Sequence, residues 1–99
     1  MSNGLKMVDV GINGFGRFGL HLLKYWLDRT TSSNFRIAYI NDDSLDIRKA
    51  FSILINDKYV IFNKYKCQIS DDYLTILEPN GRKHEISFTN QKSTKIPWL

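Results

Sequence analysis

Four glycines crowd into nine residues, Gly11, Gly14, Gly16 and Gly19, at the junction between an alternating apolar run and a segment of helical periodicity. Glycine weakens strands and helices alike, so a cluster at such a junction means that the backbone needs unusual freedom or a close neighbour. Met7 to Ile12 alternates Val8, Val10 and Ile12 with Asp9 and Gly11, which suits a half-buried strand. From Arg17 the period changes. Phe18, Leu22 and Trp26 lie four apart with Leu23 and Leu27 beside them, giving a helix with one broad apolar face. Lys24, Asp28 and Arg29 fall toward the other side, and the polar run Thr30 to Asn34 ends the helix.

Gly14-Phe15-Gly16-Arg17-Phe18-Gly19 has the pattern G-x-G-x-x-G. Alone this pattern is weak, and a tight strand-to-helix turn without a ligand accounts for it equally well. The strand before it and the helix after it give each glycine a mechanical task. Gly14 permits the sharp turn, Gly16 removes a side chain where a pyrophosphate would approach the backbone, and Gly19 lets the helix pack on the sheet. The first N–H groups of the helix carry the positive end of its dipole and suit a diphosphate.

Phe35 to Ile40 reads as a second strand. Asp43 or Ser44 can cap a second helix, whose face is Ile47, Ala50, Phe51, Leu54 and Ile55. Asn56 and Asp57 close it. "KYKCQIS", "YLTILE" and "HEISFTN" are then short strand-like runs, and Asn80-Gly81 is a hairpin signal. The order is strand, helix, strand, helix, then a β-meander, an alternation that argues for parallel strands with a right-handed crossover. In a dinucleotide fold a carboxylate about 20 residues past the glycines holds the adenosine ribose. Asp42 lies 23 residues after Gly19. Its charge repels a 2′-phosphate, so NAD is favoured over NADP.

With 99 residues the chain has room for one small domain. The net charge of +4 is spread without a run of like charges, which argues against nucleic acid as a partner. One cysteine, Cys67, excludes an internal disulfide, and the scattered His21 and His84 lack metal-ligand spacing. Cys67 reads as a buried or half-buried strand residue and not a nucleophile, because no helix start or base lies beside it. His21 is expected to be partly exposed on the first helix, and His84 to face solvent ahead of the last strand. "MSNGLK" lacks an apolar leader core, and no stretch approaches the length of a membrane span, so the expected location is cytoplasmic.

"VGINGFGRFG" (Val10 to Gly19), "INDD" (Ile40 to Asp43) and the terminal "KIPWL" together resemble the opening of phosphorylating glyceraldehyde-3-phosphate dehydrogenases. The resemblance implies an α/β fold, a Rossmann-type mononucleotide-binding half whose doubly wound sheet is incomplete. It implies NAD as cofactor, with Asn13, Gly14, Phe15 and Gly16 lining the pyrophosphate loop and the backbones of Arg17 and Phe18 donating to it. Gly19 backs that loop, Asp42 holds the ribose, and Asn41 shapes the pocket edge. Gln91 stands where the family usually has an arginine near the adenine, and "KYVI" (Lys58 to Ile61) replaces the family's Ser-x-His-Gly. On this reading residues 1–99 are an NAD-binding domain that stops before a fourth strand, leaving the first strand as a sheet edge. The catalytic cysteine and histidine are expected in a further domain, so that this chain alone is inactive. The complete enzyme is expected to be a homotetramer. A relative of erythrose-4-phosphate dehydrogenase, or a stand-alone nucleotide-binding or interaction module without catalysis, are the alternatives.

Overall fold

The computed structural model describes residues 7–57 and 64–92. "KYVI" and "KIPWL" lie outside the described residues. Seven elements follow one another: β1 (Val8–Asn13), α1 (Arg17–Leu27), β2 (Phe35–Asn41), α2 (Ile47–Asn56), β3 (Lys66–Ser70), β4 (Tyr73–Leu77) and β5 (Lys83–Thr89). They build one five-stranded sheet in the order β1-β2-β5-β4-β3. β1, β2 and β5 are mutually parallel, and the β3-β4-β5 meander is antiparallel. The helix-linked parallel part and the terminal meander match the sequence reading, and among the described residues β1 is an outer strand.

One core holds the layers together. Ile12, Ile40 and Phe88 align register to register across β1, β2 and β5. They join Leu74, Ile76 and Ile86 of the meander, Leu20, Leu23 and Leu27 of α1, and Ala50 and Leu54 of α2. Two helical faces differ from the sequence expectation. α1 buries Gly19, Leu20, Leu23, Trp26 and Leu27, whereas Phe18 is 72% exposed and Leu22 and Tyr25 are also exposed. The helix carries two apolar stripes at helical spacing, and only the one turned to the sheet is buried. On α2 Ile55 is exposed, because the contact with the sheet runs along Ala50 and Leu54. The α2 cap is also neither Asp43 nor Ser44. It is Asp46, whose Oδ1 accepts the Lys49 N–H at 2.8 Å.

The C-terminal end of α1 is tied down twice. The Trp26 indole N–H donates to the Phe35 carbonyl at 3.0 Å, fixing the helix to the start of β2. Asp28 accepts from the Tyr65 hydroxyl at 2.5 Å and from Lys24 at 2.8 Å, with Lys64 at 3.2 Å. Burial works to raise the Asp28 carboxyl, but these donors outweigh it and hold the pKa at about 2. A depressed carboxylate contributes stability above its ordinary value of 3.8, and that contribution is lost as the pH falls toward about 2. Tyr65→Phe removes one charge-assisted bond and is expected to cost about 1.5 kcal/mol near neutrality. Urea denaturation at pH 7 and at pH 2.5 checks this: the deficit should shrink at the lower pH.

The histidines divide. His21 is exposed on α1, as expected. His84 is not solvent-facing: it lies within β5, 9% exposed, with Nε2 2.6 Å from Glu78 Oε2. Its ring meets Trp26 edge-on at 4.8 Å between centroids, and Glu78 also accepts from the Thr30 hydroxyl at 2.9 Å. The Glu78–Arg82 turn around Asn80-Gly81 brings the acid and the imidazole together, with the Glu78 N–H donating to the Arg82 carbonyl at 2.8 Å. Gly81 has φ +93°, the left-handed conformation that the Asn-Gly signal anticipates.

Candidate cofactor site

The C-terminal ends of three parallel strands meet at one edge of the sheet, the place where open α/β sheets bind ligands. β1 ends at Asn13 and turns through Gly14, whose φ of +105° strongly favours glycine. Phe15 then drops into the core, fully buried, with its ring edge-on to Phe88 at 6.5 Å. Only its backbone is therefore available to a ligand site, and that N–H donates to Asp42 Oδ2 at 2.7 Å. The loop is shaped by an anchored aromatic on one side and by glycine on the other.

Gly16 and Gly19 have opposite surroundings. A Cβ on Gly16 would meet nothing within 4 Å. A Cβ on Gly19 would press on the carbonyl oxygen of Gly14 well inside van der Waals contact, with Ile12 Cγ2 at 3.3 Å. Gly19 is thus the packing glycine, and Gly16 borders open space. Gly16 is also the N-cap of α1, no side chain caps that helix, and its first turn holds no acid. The first helical bond runs from the Leu20 N–H to the Gly16 carbonyl at 2.9 Å, so the N–H groups before Leu20 open the helix. A helix start of this kind favours an anion. Gly11 to Gly14, Gly16 to Gly19 and Leu22 border a groove of about 570 Å³ along it.

Asp42 stands opposite, at the end of β2. Its Oδ2 takes the Phe15 N–H, and its Oδ1 takes those of Ser44 at 2.8 Å and Leu45 at 3.0 Å. A carboxylate has about four acceptor positions, and three are committed to the backbone. Asp42 thus braces the glycine loop against the start of the β2–α2 connection. Asn41 differs from the expectation of a pocket edge, because its side chain is fully buried beneath the site. Gln91 lies at the end of the turn after β5, with both its backbone groups bonded to the Asn41 amide. Its neighbourhood opens into a polar cleft bordered by Asp46, Ile47, Asp72 and Tyr73.

Thr89 and Asn90 complete this arrangement and were not legible in the sequence. Thr89 Oγ1 donates to Asn41 Oδ1 at 2.7 Å, and Asn90 Nδ2 donates to the carbonyls of Asp42 at 2.8 Å and Leu45 at 2.7 Å. The only signal that could have found them is their place at the end of a parallel strand. Cys67 lies half-buried on β3, and burial pushes its thiol up to about 11, which leaves it protonated near neutrality. Among the described residues no group of three His, Cys, Asp or Glu is placed to hold a metal, and no helix is long and apolar enough to cross a membrane.

Parallel strands joined through helices, a glycine turn at the first crossover and a carboxylate after the second strand define a Rossmann-type nucleotide-binding half. Residues 8–99 match the family model described as "Glyceraldehyde 3-phosphate dehydrogenase, NAD binding domain", and the chain belongs to this family of NAD-binding domains. It is 32% identical over 92 residues to glyceraldehyde-3-phosphate dehydrogenase 1 of Kluyveromyces marxianus, covering 93% of this chain and 26% of that protein. It is 33% identical over 91 residues to the chloroplastic glyceraldehyde-3-phosphate dehydrogenase of Chondrus crispus, covering 92% of this chain and 20% of that protein. The chain thus spans about a quarter or less of these relatives.

Proposed function

We propose that this chain grips the adenosine and pyrophosphate parts of NAD for an oxidoreductase that oxidises a phosphorylated aldehyde, with the chemistry supplied by a further part of the protein. The observation that carries the reading is the contrast between Gly16 and Gly19. The middle glycine of the fingerprint borders open space at an uncapped helix start, while the last is locked against Gly14. Asn13, Gly14, Phe15 and Gly16 form the loop, and the backbones of Arg17 and Phe18 open the helix toward the pyrophosphate. Asp42 offers its remaining acceptor position to the ribose, and its charge disfavours a 2′-phosphate. The turn carrying Gln91 borders the adenine end. Bound NAD supplies the hydride acceptor, and this chain's residues bind and orient it.

The complete protein is read as a glycolytic, phosphorylating dehydrogenase of the cytoplasm, assembled as a homotetramer with the rest of its chain. Residues 1–99 form its nucleotide-binding part. Cys67 takes no catalytic role, because a half-buried thiol raised to about 11 supplies almost no thiolate at neutral pH.

Gly16→Val tests the site. The valine side chain would enter open space, so thermal stability should change little, while its methyl groups would fill the ground where the pyrophosphate lies. Calorimetric titration with NAD should show binding to the wild type and none to the variant. Equal affinity in the two proteins would remove the phosphate-loop assignment.

A further inference from the structure

Asn13, Asn41 and Thr89 align register to register across β1, β2 and β5, one residue beyond the apolar row of Ile12, Ile40 and Phe88. The central member, Asn41, is fully buried. Its carboxamide uses all of its hydrogen-bonding capacity. Nδ2 donates to Asn13 Oδ1 at 3.0 Å and to the Gln91 carbonyl at 2.9 Å. Oδ1 accepts from Thr89 Oγ1 at 2.7 Å and from the Gln91 N–H at 2.9 Å. An amide offers two donors and two acceptor positions, so none remains. Gln91 contributes one backbone donor and one backbone acceptor, which fixes how the Asn41 amide lies. The Asn41 carbonyl also accepts the Gly14 N–H at 2.6 Å.

This one residue therefore touches the ends of all three parallel strands. Above those ends stand the glycine loop, Asp42 and the turn through Gln91. Asn90 adds a second tie, from that turn to the Asp42 and Leu45 carbonyls. A dinucleotide is a single ligand that must meet a phosphate loop and a ribose carboxylate at once. A site whose parts drift by about 1 Å loses much of its hold.

We propose that Asn41 is a positioning residue: its buried carboxamide sets the spacing of the glycine loop, the Asp42 carboxylate and the turn after β5, and so controls dinucleotide affinity from beneath the site without touching the ligand. The proposal rests on the NAD reading above. Asn41→Asp is the sharpest probe. It preserves shape and keeps an oxygen for Thr89 and the Gln91 N–H, but turns the donor arm into an acceptor that faces the Gln91 carbonyl. A buried carboxylate with such a neighbour is driven toward its protonated form, so acid restores one donor.

The experiment is calorimetric titration of NAD into the wild type, Asn41→Asp, Thr89→Val and Ile76→Val, each at a temperature where circular dichroism shows it folded. Ile76→Val trims the core away from the strand ends and controls for stability alone. Asn41→Asp should weaken NAD binding about tenfold or more at pH 8, and the ratio to wild type should shrink toward pH 5.5. Thr89→Val, which removes one donor, should weaken binding about threefold, and Ile76→Val should leave it unchanged. Affinity within twofold of wild type in folded Asn41→Asp, or an equal loss in Ile76→Val, would overturn the proposal. If Asn41→Asp does not fold, Thr89→Val decides, and unchanged affinity there overturns it. A wild type that does not bind NAD would overturn the functional reading, and with it this one.

Discussion

Gly19→Ala should lower the stability of this domain by about 2 kcal/mol, the net of two opposed effects. Gly19 lies inside α1, where alanine is favoured over glycine by about 1 kcal/mol on helix propensity. Against that stands the space. The new Cβ would press on the Gly14 carbonyl oxygen, with Ile12 Cγ2 3.3 Å away on another side. Overpacking costs about 1–3 kcal/mol, and the upper end applies because the obstacle is backbone rather than a side chain that can rotate. Gly14 already holds φ +105° and donates its N–H to Asn41 at 2.6 Å, so it has little room to retreat. The strain should therefore pass into the loop that faces the cofactor. Urea denaturation measures the first effect and NAD titration the second. Gly16→Val should do the reverse, sparing stability and removing binding. A Gly19→Ala variant as stable as the wild type would show that α1 can slide away from β1 at little cost.

That pair of glycines explains why the site was the most legible part of the chain. A G-x-G-x-x-G run after a strand expresses local requirements: a positive φ, an open helix start and a close packing contact lie within six residues. Asp42 was legible by position for the same reason. Its three backbone partners were not, because they depend on how the Phe15 and Leu45 loops fold toward one another. The sequence suggests Asn41 as a pocket edge, since sequence cannot tell which side of a strand end another loop will cover. Thr89 and Asn90 end the strand-like run "HEISFTN", and only the pairing of β5 beside β2 gives them partners. α1 shows the limit of periodicity. The set built on Phe18 and Leu22 and the set built on Leu20 and Leu23 both have helical spacing, and the direction of the sheet chooses between them.

The burial of His84 has a nonlocal cause, and its removal should have the larger effect on stability. Its burial needs Glu78 from across the hairpin, Thr30 from the end of α1 and Trp26 as a wall. His84→Leu leaves the Glu78 carboxylate 9% exposed without the imidazole, keeping the Thr30 hydroxyl and the charge of Arg82. Breaking a buried pair by removing one partner costs about 3 kcal/mol or more, so a loss of about 3 kcal/mol is expected at pH 7. The pH dependence gives the sharper test. In the wild type, burial alone would raise the Glu78 carboxyl, but the hydrogen bonds from His84 and Thr30 outweigh it and hold the pKa below its ordinary 4.5. That depression contributes stability above 4.5 which is lost as the pH falls through the folded value. Without His84 the largest influence opposing burial is gone, so the folded pKa should rise, with the Thr30 bond and the Arg82 charge still holding it down. The carboxylate then contributes less stability at neutral pH than in the wild type, and the difference fades as acid protonates it. The gap between wild type and His84→Leu should therefore be wide above pH 4.5 and narrow steadily below it. Replacing both members, Glu78→Leu with His84→Leu, removes the unpaired charge and should recover most of the loss, short of about 1 kcal/mol for the Thr30 bond. Urea denaturation of the three proteins between pH 4 and pH 8 reads all of this. A gap that stays constant with pH would mean that His84 stabilises the fold through its contact with Trp26, and that its bond to Glu78 contributes little.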